Sequence, residues 1–359
     1  MKIRDVELNT PFAMAPMAGM TDTAFRRLVK RHGGCSLVVS EMVSSEGLVR
    51  GIDRTLEYAE FTEEERPVSI QIFGGDPVAM AEAAQIVERL GADVVDVNMG
   101  CPVPKIAKHN AGCSLMREPE HAAAIVGAMA RAVRIPVTVK MRAGWNEREI
   151  TAPALAKMAE DAGAAAVAVH GRTAAQSYSG SSDWDLIARV ADRVSIPVFG
   201  SGDCIEPQQI LDKLAGGRVA GVLVGRGALR NPWIFAQAAD LAAGRAARAV
   251  TMADRGRFLL DYIDLLLNDA AGEPDGFRHV AFGAREAPDR NQPARGRERW
   301  VVNKVRALGS WYAKGLENGG HLRVAINSAE SIAQLRESIE RFFYVDPSHR
   351  DSAVASVTS

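Results

Sequence analysis

A cysteine at position 101 follows at once on an apolar run, in the stretch DVNMGCPVPK (residues 96–105), and is itself followed by Pro102 and Pro104. Inside the run it would be a small core residue. Just past the end, in a turn opened by Gly100 and stiffened by two prolines, it is held where a ligand can reach it. A thiol with a reference pKa near ~8.5 is mostly protonated at neutral pH and can donate a proton within hydrogen-bond reach. Other apolar runs also close on polar residues: Glu41, Gln71, Asn98, Lys140 with Arg142, His170, Ser201 to Asp203, and Gly225 with Arg226. Each has a plainer alternative. Lys140 could be a solvated strand end, His170 a hydrogen-bonded structural residue, and Gln71 a backbone cap. Their joint occurrence at run ends argues for one shared site.

The runs themselves are short and rich in β-branched residues: 12–17, 36–42, 67–74, 92–100, 135–142, 165–171, 196–202 and 221–227. Most lack apolar/polar alternation, as expected of strands buried on both faces of a parallel sheet. Between them lie segments with helical spacing, including 76–90, 118–132, 149–162 and 183–193. Asp76, Pro77 and Gly91 supply an N-cap, a first-turn proline and a terminator to the first of these. Eight such units predict a (β/α)8 TIM barrel over residues 1–245, in preference to an open doubly wound sheet; the first strand lacks G-x-G-x-x-G. Amphipathic patterns at 255–269, 299–316 and 328–343 predict a smaller helical domain over 246–346, followed by a disordered tail at 347–359.

In such a barrel the chemistry sits at the carboxyl ends of the strands, where all the polar residues above fall. The glycine-containing loops GSGD (200–203) and GRG (225–227) follow strands seven and eight, the usual phosphate-binding pair. Arg226 adds a fixed cation with bidentate donors. Lys140 allows two chemistries: a Schiff base, or a permanent charge that stabilises an anion. Flavin mononucleotide (FMN) supplies such an anion when reduced. Lys140 would then face its ring, Gln71 the ring's amide edge, and the last two loops its phosphate.

Bulk properties narrow the classes. The chain has 359 residues, 47% apolar and 24% charged, with net charge −1. That is ordinary for a soluble globular protein and gives no global attraction to nucleic acid. The start MKIRDVELNTPF is not a signal peptide, and no window approaches a membrane span. The four cysteines, at 35, 101, 113 and 204, form no C-x-x-C pair, so neither a metal site nor a disulfide framework is expected, and the cytoplasm is the expected compartment. Cys35, Cys113 and Cys204 read as structural.

APMAGMTDTAFRRL, QIFG, DVNMGCPVPK, AGCSLMR, VTVKMRAGW, HGRTAAQSYSG, GSGD and GRGALRNPWIF occur in order between residues 15 and 235, and SWYAKGL follows in the helical tail. Together they resemble the tRNA-dihydrouridine synthases, closest to the bacterial B-type branch. The resemblance implies reduction of specific uridines in tRNA, with FMN as cofactor and NADPH (or NADH) as reductant. It implies that Pro16, Met17 and Ala18 lie against the flavin, that Gln71 and Lys140 hydrogen-bond its ring, and that His170 contacts it. Ser201, Gly202, Asp203, Gly225 and Arg226 would hold the phosphate. Cys101 would be the proton donor, Asn98 would orient the uracil, and Arg142 and Lys105 would also serve substrate. The chain departs from the family at Ser201, usually Asn, which keeps a hydroxyl but loses an amide donor. Ala174 replaces a residue often charged. The link at 271–299 is longer than usual.

A polymer substrate requires local positive charge. Residues 278–306 hold eight basic and three acidic residues beside Trp300 and Trp311, a strip suited to phosphate attraction and base stacking or, more plainly, a solvated linker. Arg26, Arg27, Lys30 and Arg31 read instead as an exposed helix face. A monomer is expected, with no metal or membrane partner. The rival functions are a flavin-dependent reductase of free pyrimidines, a Schiff-base aldolase using Lys140, and a non-catalytic RNA-binding module that keeps a flavin pocket.

Overall fold

The computed structural model describes residues 1–107, 110–267, 273–281 and 294–345. Eight parallel strands form the frame: β1 (Phe12–Met14), β2 (Val38–Val39), β3 (Val68–Phe73), β4 (Val94–Met99), β5 (Val137–Arg142), β6 (Ala166–His170), β7 (Val198–Ser201) and β8 (Gly221–Val224). They pair in sequence order from β2 to β8, and β8 pairs with β1. A parallel bridge between Ala13 and Leu37, with Met14 N–H donating to Leu37 O at 2.9 Å, brings β1 against β2. The sheet therefore curls into a barrel, as expected, and the open doubly wound alternative is excluded.

β4 is buried at every residue, which explains the missing alternation in its sequence: one face looks into the barrel and the other under the surrounding helices. The helices include α1 (Thr23–His32), α2 (Pro77–Leu90), α3 (Pro119–Ala132), α4 (Ala152–Asp161), α5 (Trp184–Ala191), α6 (Pro207–Ala215) and α7 (Ile234–Ala242). In α2 the Asp76 carboxylate accepts from the N–H groups of Val78 and Ala79, and Gly91 caps the end at φ +90°. The interior is packed by small residues, Ala13, Ala15, Ala166 and Ala168, around Phe199 and Leu223. Gly221 is required beside Phe199, since a Cβ there would lie 2.5 Å from the ring. The amino-terminal hairpin (Lys2–Ile3 with Val6–Glu7), which carries no strong sequence signal, adds Ile3 and Leu8 to this core.

Three expectations change. The run 36–42 is a two-residue strand, followed by a separate strand at Val43–Ser44 that also pairs with β3, so Glu41 sits in the bend between them. Arg26 and Arg27 are not an exposed face: they are 2% and 6% exposed. Arg26 Nε donates to Glu65 at 2.5 Å and Arg27 Nε to Glu64 at 2.8 Å, because the turn at Glu63–Glu65 packs on α1 and presents these two glutamates to the helix. Thirdly, residues 273–281 join the barrel rather than a basic strip. Arg278–His279 pairs antiparallel with Phe61–Thr62, and Arg278 is buried against Glu273 at 2.8 Å.

The chain divides into two compact units, the barrel and a helical unit that starts near Arg248. In the second, α8 (Met252–Leu267), α9 (Ala294–Tyr312), α10 (Gly319–Ser328) and α11 (Ile332–Tyr344) pack around Leu259, Ile263, Val305, Leu335 and Ile339. Helix α10 escaped the sequence reading because Asn318, Gly319 and Gly320 look like a loop. Tyr312 is fully buried and its hydroxyl donates to Arg255 O at 3.0 Å. The expected tail at 347–359 lies outside the described residues, as do 271–272 and 282–293 of the link at 271–299. No described helix is long and apolar enough to cross a membrane.

Candidate active site

Strand register sets the tiers of the site. Gln71 on β3, Asp96 on β4 and Thr138 on β5 are register partners. One level nearer the barrel mouth Asn98 partners Lys140, and one level further Arg142, His170 and Ser201 align across β5, β6 and β7. The residues picked from the run ends are thus brought together because parallel strands of similar length end at similar heights. Lys140, Asp96, Thr138 and Pro16 line one small cavity within the barrel.

Asn98 shapes the turn that carries Cys101. Its side-chain oxygen accepts from Gly100 N–H at 3.1 Å and from Cys101 N–H at 2.9 Å. Its Nδ2 donates to Gln71 Oε1 at 2.7 Å and also reaches Met42 Sδ at 3.8 Å. Arg142 is 4% exposed and grips the same turn from the other side: Nε donates to Gly100 O at 2.9 Å, Nη1 to Thr173 O at 3.0 Å and Ser177 O at 2.9 Å. Cys113 N–H donates to Cys101 O at 3.0 Å. Gly112 permits that approach, for at φ +63° a Cβ would lie 2.7 Å from Cys101 O. The thiol of Cys101 is half-buried, while those of Cys35, Cys113 and Cys204 are buried. Burial raises the Cys101 pKa, against a Val103 backbone hydrogen bond and the nearby cations Arg142 and Lys140, so the thiol holds its proton at neutral pH.

Lys140 is brought down to about 8 by burial first and by Arg142 second, with Asp96 and Cys101 opposing. Burial, helped by the same cations, lowers His170 to about 3, so its ring is neutral. Nδ1–H of that neutral ring donates to Ser201 O at 3.1 Å, which leaves Nε2 as an acceptor, buried and without a protein partner. A buried acceptor of this kind calls for a ligand donor.

The loop after β7 turns through Gly202 at φ +128° and Asp203 at φ +59°. The Asp203 carboxylate is occupied: it accepts from Ser182 N–H at 2.7 Å and from Arg172 at 2.7 Å. Arg226 lies 3.6 Å from it and stacks over Tyr178 at 4.8 Å. Gly225 faces Met17, whose Sδ would be 3.5 Å from a Cβ there. In the loop after β1, Met17 N–H donates to Thr21 Oγ1 at 3.1 Å and Gly19 N–H to Glu41 at 2.5 Å; Ala18 is exposed between them. The site thus joins a neutral acceptor, a cation and two loops with close backbone approach, a donor set that fits a flavin and its phosphate. The side chain of Lys105 lies outside the described residues. Among those described, no cluster of three or more His, Cys, Asp or Glu could hold a metal.

Sequence reasoning missed Asp96, Arg172 and Tyr178. Tyr178 and Arg172 stood in HGRTAAQSYSG, but only folding shows that Arg142 and Arg226 both approach the Tyr178 ring, at 5.7 and 4.8 Å. Asp96 carried a signal, a carboxylate inside an apolar run.

Comparison with known proteins adds independent findings. The family model described as dihydrouridine synthase matches residues 13–332. A protein of Rickettsia conorii named as a probable tRNA-dihydrouridine synthase is 34% identical over 347 residues, 95% of this chain and 96% of its own. The tRNA-dihydrouridine synthase B of Xanthomonas campestris is 39% identical over 280 residues, 77% of this chain and 84% of its own. Among solved structures, a 2-naphthoyl-CoA reductase matches with a TM-score of 0.52 at 14% identity, over 68% of this chain and 52% of its own, a likeness of fold alone.

Proposed function

The chain belongs to the dihydrouridine synthase family, and from that premise we propose that it reduces uridines in tRNA to 5,6-dihydrouridine, with FMN as resident cofactor and NADPH or NADH as reductant. The observation that carries this reading is the pinned turn of Cys101, tied through Asn98 and Gln71 to the strand ends that present Lys140 and His170.

Reduction of the uracil 5,6 double bond adds a hydride at C6 and a proton at C5. Bound flavin, reduced by the dinucleotide, supplies the hydride chemistry. Everything else falls to the chain. Lys140 and the neutral His170 face the ring, one as a cation and one as an acceptor. The backbone at Ser201, Gly202, Asp203 and Gly225, with Arg226, holds the phosphate, while Arg172 pairs with the Asp203 carboxylate and offsets its charge. Pro16, Met17 and Ala18 form the floor. Cys101 Sγ–H donates the proton to C5, and Asn98 and Lys105 bind the base. Arg142 acts through the turn it grips. Asn98 meets the base by exchanging its weak Met42 contact for a uracil oxygen.

The helical unit is assigned to tRNA recognition. In it, Trp300 is 40% exposed, with Arg297 at 4.7 Å and Lys304 at 5.7 Å from the ring centroid. A base inside a folded RNA must be extruded to reach a barrel mouth, which requires such contacts away from the pocket. The test compares unmodified tRNA with free uridine, each given with FMN and NADPH. Dihydrouridine in tRNA and little with the nucleoside is the expected result; equal turnover of both would favour a free-pyrimidine reductase.

A further inference from the structure

We propose that Asp96, two residues below Asn98 on β4, is a positioning residue that fixes the amide orientations of Gln71 and Asn98 and thereby holds the Cys101 turn in place. The inference rests on the functional reading only for the importance of that turn; the hydrogen-bond argument stands by itself.

The polarity of the chain of bonds is dictated from both ends. Backbone N–H groups of Gly100 and Cys101 can only donate, so the Asn98 atom facing them must be oxygen, at 3.1 and 2.9 Å. Nitrogen of Asn98 then faces Gln71, whose facing atom must be oxygen, at 2.7 Å. Nitrogen of Gln71 is left facing Asp96 Oδ2 at 2.6 Å, where an acceptor is required. A carboxylate is the group that meets this demand and cannot be turned the wrong way. Its other oxygen accepts from Thr138 Oγ1 at 2.6 Å, so both oxygens are taken by donors. Gln71 cannot drift from its place, because its own N–H donates to Ser40 Oγ at 3.0 Å. All of these side chains are less than a tenth exposed, so bulk solvent does not compete freely for these bonds.

A reversal of the two ends tests this. In Asn98→Asp one carboxylate oxygen still meets the backbone pair, but the other meets Gln71 Oε1, acceptor against acceptor. Turning the Gln71 amide only moves the conflict to Asp96. Hydrogen exchange at the Gly100 and Cys101 amides of the full chain should then quicken about tenfold or more. The double variant Asp96→Asn/Asn98→Asp runs the chain backwards with every group satisfied: residue 96 donates to Gln71, Gln71 donates to residue 98, and Thr138 still donates to residue 96. Protection of both amides should return to within about threefold of the unaltered protein. Unchanged protection in Asn98→Asp, or a double variant no better protected than that single one, overturns the proposal. The measurement needs neither flavin nor tRNA, so it can fail while the functional reading holds, and the reverse.

Discussion

Lys140 carries a charge that changes close to neutral pH. Burial and Arg142 bring it down to about 8, so it is a cation below that pH and neutral above it. Stabilisation of an anionic ring is therefore complete on the acid side and lost as pH rises through about 8. Titration of reduced FMN into the protein should show affinity falling above that point, while Lys140→Met binds more weakly and without that inflection. His170, at about 3, contributes no step there. The shared placement of Cys101, Lys140 and His170 at one end of the barrel was legible because a residue near the end of a buried strand has the barrel mouth to face. The protein partners of Arg142 and Asp203 were not. Their donors and acceptors are taken by Gly100, Thr173, Ser177, Arg172 and Ser182, and which loops come within reach is decided by tertiary packing.

At the scale of elements, short connections carry the precision. The turn of Cys101 leans on Gly112, where left-handed backbone and a close carbonyl leave no space for a side chain. Gly112→Ala should lower unfolding free energy by about 1–3 kcal/mol in urea and loosen the turn. Helix α1 makes a second case. Its Arg26 was read as solvated, since an arginine in a basic run gives no sign of burial, yet Glu65 is fully buried beside it. Removing one partner strands a buried charge, so Arg26→Ala should cost about 3–5 kcal/mol by the same measurement. Strand β2 shows the opposite limit: its apolar run promised seven residues, and the backbone bends after two so that Glu41 can take the Gly19 N–H.

For the whole molecule, the division into barrel and helical unit follows from a change of period in the sequence, from strand-helix repeats to amphipathic helices alone. The basic strip expected at 278–306 was only partly a surface feature. Arg278 serves the barrel, and Trp300, Lys304 and Arg306 belong to α9. If that helix meets tRNA, Lys304→Ala should weaken binding across tRNA sequences and reduce the slope of log affinity against log salt by roughly one. Trp300→Ala should weaken binding by about 1–3 kcal/mol, and neither change should alter FMN affinity, measured by flavin fluorescence.

The central claim is that the thiol at position 101 delivers the proton that completes reduction of uridine. Single-turnover reaction of the FMN-loaded, reduced protein with unmodified tRNA, followed by nucleoside mass analysis, reads it directly. The unaltered protein should form dihydrouridine, and Cys101→Ala should bind and reduce flavin normally yet form almost none. Product from Cys101→Ala at the normal rate, or none from the unaltered protein, would contradict the account.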